Sequence, residues 1–432
     1  MITKIKGAEL IDSRGIPSVY ARIDFEDGVF GEALVPSGAS VGSHEAHEKR
    51  DGDARFSGKG VTGAVLSINS DISDAFSGKS FSCLEDFDCA LISLDGTQNK
   101  SRLGANAILA VSMAYARADA NKKKLPLYRT LFSEGEPVLP CPMMNILNGG
   151  AHASNNLDIQ EFMFMPYGAD SFRSAMDMGM ETYMALKALL KKKGLSTLVG
   201  DEGGFAPDLS GDEEALELIL SAAHDAGLSP KKHFGIALDC AATEWLSDDG
   251  YYKQPKSGLI LSSGELMEHY LFLCRDYPVI SIEDGMAEDD FSAHEELTRA
   301  LKIQTVGDDL FVTNPERIRM GISRKLANAV LIKPNQIGTV SETINAIRLA
   351  RDNGLSQIVS HRSGDTEDSF IADLACASRC GQIKTGAPAR AERTSKYNRL
   401  LMIESELGEY ARFAGGASIQ NLNADKCCCS SK

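Results

Sequence analysis

The chain opens with alternating hydrophobic and polar positions, a pattern typical of β structure. Apolar side chains occupy every second position from Val19 to Phe25, which predicts a strand with one buried face. The Asp-Gly pair at 27–28 predicts a tight hairpin turn, and residues 29–35 predict the returning strand. Further on, residues 105–124 predict a long helix. The first part of the chain therefore indicates an antiparallel sheet followed by helices.

Prolines at 137, 140 and 142 interrupt this pattern and predict a domain boundary between 133 and 142, because they break helices and sheet ladders alike. We therefore expect an N-terminal α+β domain with a lid loop over residues 1–135 and a catalytic domain over residues 140–423. Residues 424–432 include three adjacent cysteines at 427–429 and predict a disordered tail. The tail fits a prenylation signal poorly, and nothing in it indicates a function.

Beyond the boundary, short apolar runs alternate with amphipathic helical stretches. Helical periodicity extends over residues 172–190, with Gly194 as the stop signal, and Thr339 with Glu342 forms a capping-box pattern at the start of another helix. A third helix is predicted from about 365 to 381. Most successive apolar runs end roughly 25 residues apart, the length of about one strand, one helix and two loops. Repeated units of this kind predict a closed (β/α)-type barrel and hence an α/β fold class.

The strongest chemical signal is that these apolar runs end in charged or titratable residues. The C-terminal ends of the strands form the active-site face of such barrels. In chain order, the runs end at Asp239, Glu283, Asp308, Lys333, His361 and Lys384. Occasional acids at strand ends are ordinary, but this succession of acids, lysines and a histidine predicts a catalytic site.

The carboxylates and lysines of this ring predict a metal-dependent reaction on an anion. Three converging carboxylates would repel one another without a cation, and hard oxygen ligands suit Mg²⁺ or Mn²⁺. Two lysines in one cavity would attract an anionic substrate, and one of them, crowded by cations, would have a lowered pKa and act as a base. The alternative is that both lysines form only structural ion pairs. We give it less weight, because burying so many charges costs free energy without a functional return.

Composition restricts the classes of function. The chain has 432 residues and a formal net charge of -15, which argues against a nucleic-acid partner but not against a small anion held with cations. The N-terminus shows no signal peptide and no stretch is apolar enough for a membrane span, so we expect a cytoplasmic protein. The cysteines outside the tail are scattered without a C-x-x-C pair, which argues against a disulfide framework or a zinc site.

Other segments contain candidate residues that are weak signals when taken singly, since each also fits an ordinary loop or turn. They are the Gly-rich segment 148–156 with His152, the segment 200–207 with Glu202, the pair Gln160-Glu161 before an apolar run, and the small-residue loop 37–40. Gly58, Gly60 and Gly63 match a dinucleotide-binding pattern, but no apolar strand precedes them. We interpret these glycines as a loop that leads into a helix near Ala64.

Taken together, the segments resemble the enolase family over essentially the whole chain, up to about Asn423. They occur in the family's order, and jointly they are far more specific than any single motif. The matching segments are DSRG at 12–15, SGAS at 37–40, NGGAHASNN at 148–156, QEFM at 160–163, GDEGGFAP at 200–207, LDCAATE at 238–244, SIED at 281–284, GDDLFVTNP at 307–315, IKPNQIGT at 332–339, SHRSGDTED at 360–368 and IKTGAPARAER at 383–393.

The resemblance implies a C-terminal (β/α)8-type barrel with atypical first strands and an N-terminal α+β capping domain. It implies a lyase of glycolysis and gluconeogenesis that reversibly dehydrates 2-phosphoglycerate to phosphoenolpyruvate through an enolate stabilised by Mg²⁺. Two Mg²⁺ ions per site are implied, with Mn²⁺ as a substitute. Asp239, Glu283 and Asp308 would hold the tighter ion, and Ser40 in the lid loop would contribute to the second. A homodimer or higher homo-oligomer is also implied, with room for a surface or secreted pool beside the cytoplasmic one.

The resemblance further assigns roles to individual residues. Lys333 matches the general base that removes the proton from carbon 2, and Glu202 matches the general acid for departure of the 3-hydroxyl, assisted by Glu161. Lys384 would contact the substrate carboxylate and stabilise the enolate. His152 and His361 would line the pocket as further catalytic residues, and Gln160 would lie close to the metal-bound substrate. Arg362 and Ser363 would hold the phosphate.

Two positions depart from the family pattern, and two alternative functions fit part of the same set of residues. Val41 and Ile16 stand where the family usually has Thr and Asn, which affects details of the lid loop rather than the proton carriers. A sugar-acid dehydratase or racemase would share the metal acids and the lysine base but would not need Arg362 and Ser363 for a phosphate or Ser40 in a lid loop. A non-enzymatic scaffold is the other alternative, although every expected catalytic position is filled.

Overall fold

The N-terminal part of the chain is a three-stranded antiparallel sheet. The structure, a computed structural model, describes residues 1–38, 44–132 and 134–422. The sheet consists of β1 (Ile2–Ile11), β2 (Pro17–Phe25) and β3 (Phe30–Leu34), in that order. Every second side chain from Val19 to Phe25 is buried, and Gly28 makes the turn to β3 with a φ of 78°, as the sequence pattern predicted.

Helices cover this sheet and complete the N-terminal domain. They are α1 (Thr62–Ser67), a π-helical turn (Ile68–Ile72), α2 (Ser73–Phe76), α3 (Leu84–Asp95) and α4 (Ala105–Lys123). The predicted long helix is α4, which packs on β2 and β3 and is buried along most of its length. A 3-10 turn at Arg55–Gly58, not a strand, precedes α1, so the glycine pattern at 58–63 lacks the strand that a dinucleotide site requires.

Eight of the described strands close into a barrel, which confirms the predicted fold class. The barrel strands are β4 (Cys141–Asn148), β5 (Glu161–Met165) and β6 (Gly235–Asp239), and then, after a hairpin of β7 (Tyr252–Lys253) and β8 (Ile260–Leu261), β9 (Val279–Glu283), β10 (Gln304–Gly307), β11 (Ala329–Ile332), β12 (Ser356–Ser360) and β13 (Gly381–Lys384). The pairs β4–β5 and β5–β6 are antiparallel and the others parallel, which is the atypical start that the resemblance implied.

Helices follow the barrel strands, and all but the short α10, which lies at the active-site end, surround the barrel on its outer side. They are α5 (Phe172–Lys193), α6 (Asp212–Asp225), α7 (Ser263–Asp276), α8 (Phe291–Leu301), α9 (Pro315–Arg324), α10 (Pro334–Ile337), α11 (Val340–Asp352), α12 (Phe370–Ser378) and α13 (Ala391–Leu407). As predicted, α5 ends at a left-handed Gly194, and Thr339 caps α11 by accepting the backbone N–H of Glu342 at 3.1 Å. Within the described ranges, no helix is long and apolar enough to cross a membrane, and the described cysteines are free thiols.

Two expectations about local structure are wrong. The helix predicted from about 365 begins only at Phe370, because the Asp368 carboxylate caps it by accepting the Phe370 N–H and binds Arg117 of the N-terminal domain. Pro142, read as a chain breaker, lies inside β4. The ladder to β5 begins only at Met144, so the missing N–H of Pro142 costs no bond on that side.

Ser40, Val41 and the tail 424–432 lie outside the described residues.

The N-terminal domain caps a barrel helix. Helix N-termini leave backbone N–H groups without intrahelical partners. At the start of α11, the Val340 N–H donates to Ser112 Oγ at 3.0 Å, and the Ser341 N–H donates to Asp88 Oδ2 at 2.8 Å. Both acceptors belong to the N-terminal domain and are buried. These bonds fix that domain directly behind the loop that follows β11.

We expect Asp88→Ala to lower the free energy of unfolding by about 1–3 kcal/mol, because the Ser341 N–H loses its acceptor. Urea denaturation followed by circular dichroism measures the effect. The control is Asp86→Ala, since Asp86 is exposed on the same helix. A loss no larger than that of the control would contradict the capping role of Asp88.

Candidate active site

The predicted ring of strand-end residues meets in one cavity at the C-terminal end of the barrel, with about 540 Å³ of empty space that includes its open mouth. Pairing between strands explains part of this convergence, because Asp239 of β6 lies directly opposite Glu283 of β9 on one side and Glu161 of β5 on the other. Of the residues predicted from the sequence, the cavity is lined by His152, Gln160, Glu161, Glu202, Asp239, Asp308, Lys333, His361, Arg362, Ser363 and Lys384. Glu283 is fully buried beneath them.

Lys384 lies between the carboxylates at the bottom of the cavity. Its Nζ is 2.8 Å from Asp239 Oδ2, 2.8 Å from Glu283 Oε1 and 3.0 Å from Glu161 Oε1. Burial lowers the pKa of Lys384, but these carboxylates raise it more, so it is well above its usual value. The strand ends therefore form a pocket of strongly negative potential in which a cation is stabilised.

The same carboxylates fit a divalent metal ion. Glu283 Oε2 is buried and has no hydrogen-bond donor among the described residues, and the same holds for Glu161 Oε2. Burial and the neighbouring Asp239 raise the pKa of Glu283 well above its usual value, which reflects the cost of unneutralised charge. Buried carboxylate oxygens normally have partners, and a hard cation would supply one. Asp239 and Glu283 thus offer oxygen ligands of the type that Mg²⁺ prefers.

Asp308 belongs to a second, adjoining group of acids. Its carboxylate forms an ion pair with Lys333 Nζ, and one of its oxygens lies within 4.8 Å of oxygens of Asp284 and Asp309. Asp284 accepts the backbone N–H groups of Asp308 at 3.0 Å and of Asp309 at 2.7 Å, so it fixes the turn that presents Asp308. The sequence analysis gave Asp284 and Asp309 no role. The signal in the sequence was that each directly follows another acid at the end of an apolar run, Asp284 after Glu283 and Asp309 after Asp308.

The pKa of Lys333 differs from the expectation. Burial lowers it, but the Asp308 carboxylate raises it more, so the pKa is raised overall and the predicted lowering is wrong for this arrangement. Arg362 and Lys384 both act to lower it. A divalent cation bound to Asp308 would offset the charge of that carboxylate and leave these two cations as the dominant neighbours.

On the opposite wall, two carboxyl groups surround an imidazole. The Nδ1 atom of His152 is 3.9 Å from Glu161 Oε1 and 3.7 Å from Glu202 Oε1. The Oε2 atom of Glu202 accepts a hydrogen bond from Asn145 Nδ2 at 3.0 Å, and its Oε1 lies 3.2 Å from His361 Nε2. All three side chains of the group, His152, Glu161 and Glu202, are at least nine-tenths buried. The arrangement is suited to storing and moving a proton.

The two carboxyl groups of this wall have opposite pKa shifts. For Glu161, burial and the charge of Glu202 raise the pKa well above its usual value. For Glu202, burial also raises the pKa, but His361 and His152 lower it more, and the result is well below the usual value. Burial lowers the pKa of His361 to about 4, and its Nδ1 accepts from Arg393 at 2.6 Å, so the imidazole proton is on Nε2 and faces Glu202. Of the two groups, Glu161 is the one whose protonated form the surroundings favour.

Arg362 is held at the rim of the cavity by an acid that the sequence analysis missed. Glu45 contacts both terminal nitrogens of the guanidinium, at 3.0 and 3.1 Å. Glu45 lies just after the loop at 37–40, so its only signal in the sequence was that it is an acid next to the predicted lid loop.

Gln160 lies close to the proposed metal site, because its Nε2 is 3.4 Å from Asp239 Oδ2.

Comparisons with known proteins cover nearly the whole chain. A family model described as "Enolase, N-terminal domain" matches residues 2–131, and one described as "Enolase, C-terminal TIM barrel domain" matches residues 136–422. A curated relative named "Enolase", from Acidothermus cellulolyticus, is 53% identical over 420 residues, which is 97% of this chain and 97% of the relative.

Proposed function

The chain belongs to the enolase family, and from this premise we propose that it interconverts 2-phosphoglycerate and phosphoenolpyruvate, the dehydration step of glycolysis and its reversal in gluconeogenesis. It is a hydro-lyase. The observation that carries the proposal is the single cavity in which buried carboxylates adjoin Lys333 and Arg362. Such a cavity combines ligands for a hard cation, a base and a group for an anionic phosphate.

The metal ligands in this proposal are Asp239, Glu283 and Asp308, with Mg²⁺ as the ion and Mn²⁺ as a substitute. Ser40, which lies outside the described residues, would contribute to a second Mg²⁺. When bound, these ions neutralise the substrate carboxylate and the additional negative charge that develops on it during the reaction. The unsatisfied oxygen of Glu283 supports this assignment.

In the proposed first step, Lys333 takes the proton from carbon 2. The electron pair of the broken C–H bond moves into the substrate carboxylate, which then carries a second negative charge. Lys384 contacts that carboxylate and stabilises the charge, and its position among three acids keeps it protonated. Lys333 must be neutral to accept the proton. Arg362 and Lys384 favour its neutral form, whereas Asp308 raises its pKa above the usual value, so the base role requires a cation that offsets the Asp308 charge.

In the proposed second step, the electron pair returns from the carboxylate to form the double bond between carbon 2 and carbon 3. The bond between carbon 3 and its hydroxyl breaks, and the hydroxyl takes up a proton and leaves as water. Glu202 donates the required proton, and Glu161 assists it. Glu202 lies beside His152 and His361 at the pocket wall, and its pKa is lowered whereas that of Glu161 is raised. The pKa directions therefore favour Glu161 as the group that stores the proton, and the donor role of Glu202 rests on the family resemblance. Proton transfer by positioned groups of this kind typically contributes 10²–10⁴-fold to the rate.

A coupled assay for phosphoenolpyruvate, with and without Mg²⁺, tests the proposed reaction. Comparing 2-phosphoglycerate with unphosphorylated 2-hydroxy acids separates the proposed reaction from the dehydratase and racemase alternatives.

We also propose a homodimer or higher homo-oligomer in the cytoplasm, on the family resemblance alone. Light scattering during size-exclusion chromatography measures the oligomeric state.

Arg362 and Ser363 are the proposed phosphate contacts. We expect Arg362→Lys, which keeps the charge but loses the planar fork, to weaken binding of 2-phosphoglycerate and inorganic phosphate by about 1–3 kcal/mol. The KM for the substrate and the competitive inhibition constant of phosphate measure this loss. The matched control is Arg399→Lys, because Arg399 makes a similar two-pronged contact with Asp373 away from the cavity. Unchanged constants in Arg362→Lys would remove Arg362 from the phosphate site.

A further inference from the structure

Two consecutive β-branched residues in the turn between β10 and α9 have left-handed backbone conformations. The φ angles are 43° at Val312 and 54° at Thr313, and both side chains are fully buried. Left-handed conformations are rare for β-branched residues and persist where the surrounding structure demands them. The consequence here is that the Thr313 hydroxyl points at the segment that follows β11. It accepts the backbone N–H of Lys333 at 2.9 Å and donates to Gln336 Oε1 at 2.8 Å.

Gln336 is buried and its side-chain amide contacts three different groups. The Oε1 atom accepts the Thr313 hydroxyl, and Nε2 donates to Asp308 Oδ1 at 3.1 Å and to Glu45 Oε1 at 3.3 Å. Ionised carboxylates only accept hydrogen bonds, so the amide can be oriented in one way. Gln336 is 1% exposed, so bulk solvent does not reach its side-chain amide.

These bonds connect the parts of the site. From Thr313 they reach the backbone of Lys333 on one side and Gln336 on the other, and Gln336 contacts both Asp308 and Glu45. Glu45 in turn holds both terminal nitrogens of Arg362. The backbone of residue 46 adds to this connection, since its N–H donates to the Gln336 carbonyl at 2.8 Å.

We propose that Thr313 and Gln336 are positioning residues that hold the metal ligand Asp308 and the phosphate contact Arg362 in one arrangement, so that binding of Mg²⁺ and of phosphate is coupled. The inference rests on the proposed function, because it takes Asp308 and Arg362 as ligands. A bond from Gln336 to Oδ1 of Asp308 leaves Oδ2 facing the cavity, where it now meets Lys333. Groups that orient a ligand in this way typically change metal affinity by about 10–100-fold when removed.

Gln336→Met tests the proposal, since methionine has a similar length and no hydrogen-bonding amide. Calorimetric titration of the full chain with Mg²⁺, in the absence and presence of inorganic phosphate, gives the metal affinity and its coupling to phosphate. We expect Mg²⁺ affinity to fall by about 10–100-fold and phosphate to strengthen Mg²⁺ binding less than in the wild type. Thr313→Val keeps the branched shape and removes only the hydroxyl, and it should change both quantities in the same direction.

Gln382→Met is the matched control. Gln382 forms a buried amide pair with Gln304 at the opposite end of the barrel, with a distance of 2.9 Å. Its replacement removes a comparable buried amide without touching the cavity, and it should leave Mg²⁺ affinity unchanged.

Wild-type Mg²⁺ affinity and coupling in either folded variant of Gln336 or Thr313 would overturn the proposal, and so would an equal loss in the control. Thermal unfolding identifies which variants are folded, and Thr313→Val decides if Gln336→Met does not fold. A wild-type chain that binds no Mg²⁺ would instead overturn the proposed metal site, and the positioning role with it.

Discussion

Turnover of 2-phosphoglycerate is expected to be lost when Asp239 or Asp308 is replaced by alanine. Each substitution removes an anionic oxygen ligand from the proposed set with Glu283. Asp239→Ala leaves Lys384 with two of its three carboxylate partners, so the lysine keeps its position and the defect reports on the metal. The loss should exceed the 10–100-fold typical of residues that only orient a ligand.

Two measurements check this expectation. The rate of phosphoenolpyruvate formation at saturating Mg²⁺ gives the loss of turnover, and calorimetric titration of the free protein gives the loss of Mg²⁺ affinity. The control is Asp276→Ala at the exposed end of α7, which removes a carboxylate from the surface of the barrel. Full activity of the wild type in excess chelator, or wild-type turnover in either variant, would contradict the assigned ligands.

The barrel and the ring of strand-end residues could be predicted from the sequence because both depend on local periodicity. A buried parallel strand is a short apolar run, and the residue after it must lie at the active-site end of the barrel. Repetition of that unit therefore predicted that Asp239, Lys333 and Lys384 lie at the same end of the barrel, where they line one cavity. The specific roles of these residues came from the family resemblance and stay predictions.

Apart from the doubled acids Asp284 and Asp309, the residues that the sequence analysis missed depend on contacts between distant segments. Glu45 contacts Arg362 across 317 positions, and Gln336 contacts Glu45 across 291, so no periodic pattern could pair them. The same applies to the start of α12, where Asp368 is 251 positions from its partner Arg117. Sequence patterns report which face a residue occupies, whereas these pairings require the two domains to be packed together.

The two halves of the proposed reaction should separate on mutation of the acid and the base. Removal of the proton from carbon 2 requires Lys333 and a stabilised carboxylate, but it does not require the hydroxyl to leave. Departure of the hydroxyl requires a proton, for which Glu202 is the proposed donor. Glu202→Gln should therefore block dehydration and leave exchange of the carbon-2 proton with solvent measurable, whereas Lys333→Ala should block both. Each defect should reach roughly 10²–10⁴-fold.

Deuterium incorporation into 2-phosphoglycerate in heavy water, followed by NMR, measures exchange for both variants, and phosphoenolpyruvate formation measures dehydration. Glutamine keeps the shape of Glu202 and the amide can still meet His361, so the pocket wall is preserved while the proton donor is lost. Glu342→Gln is the control, because it neutralises a carboxylate paired with Lys100 outside the cavity and should retain both activities. Wild-type exchange in Lys333→Ala together with its loss in Glu202→Gln would reverse the base and acid roles. Dehydration that survives in Glu202→Gln would instead make Glu161, whose pKa is raised, the direct donor.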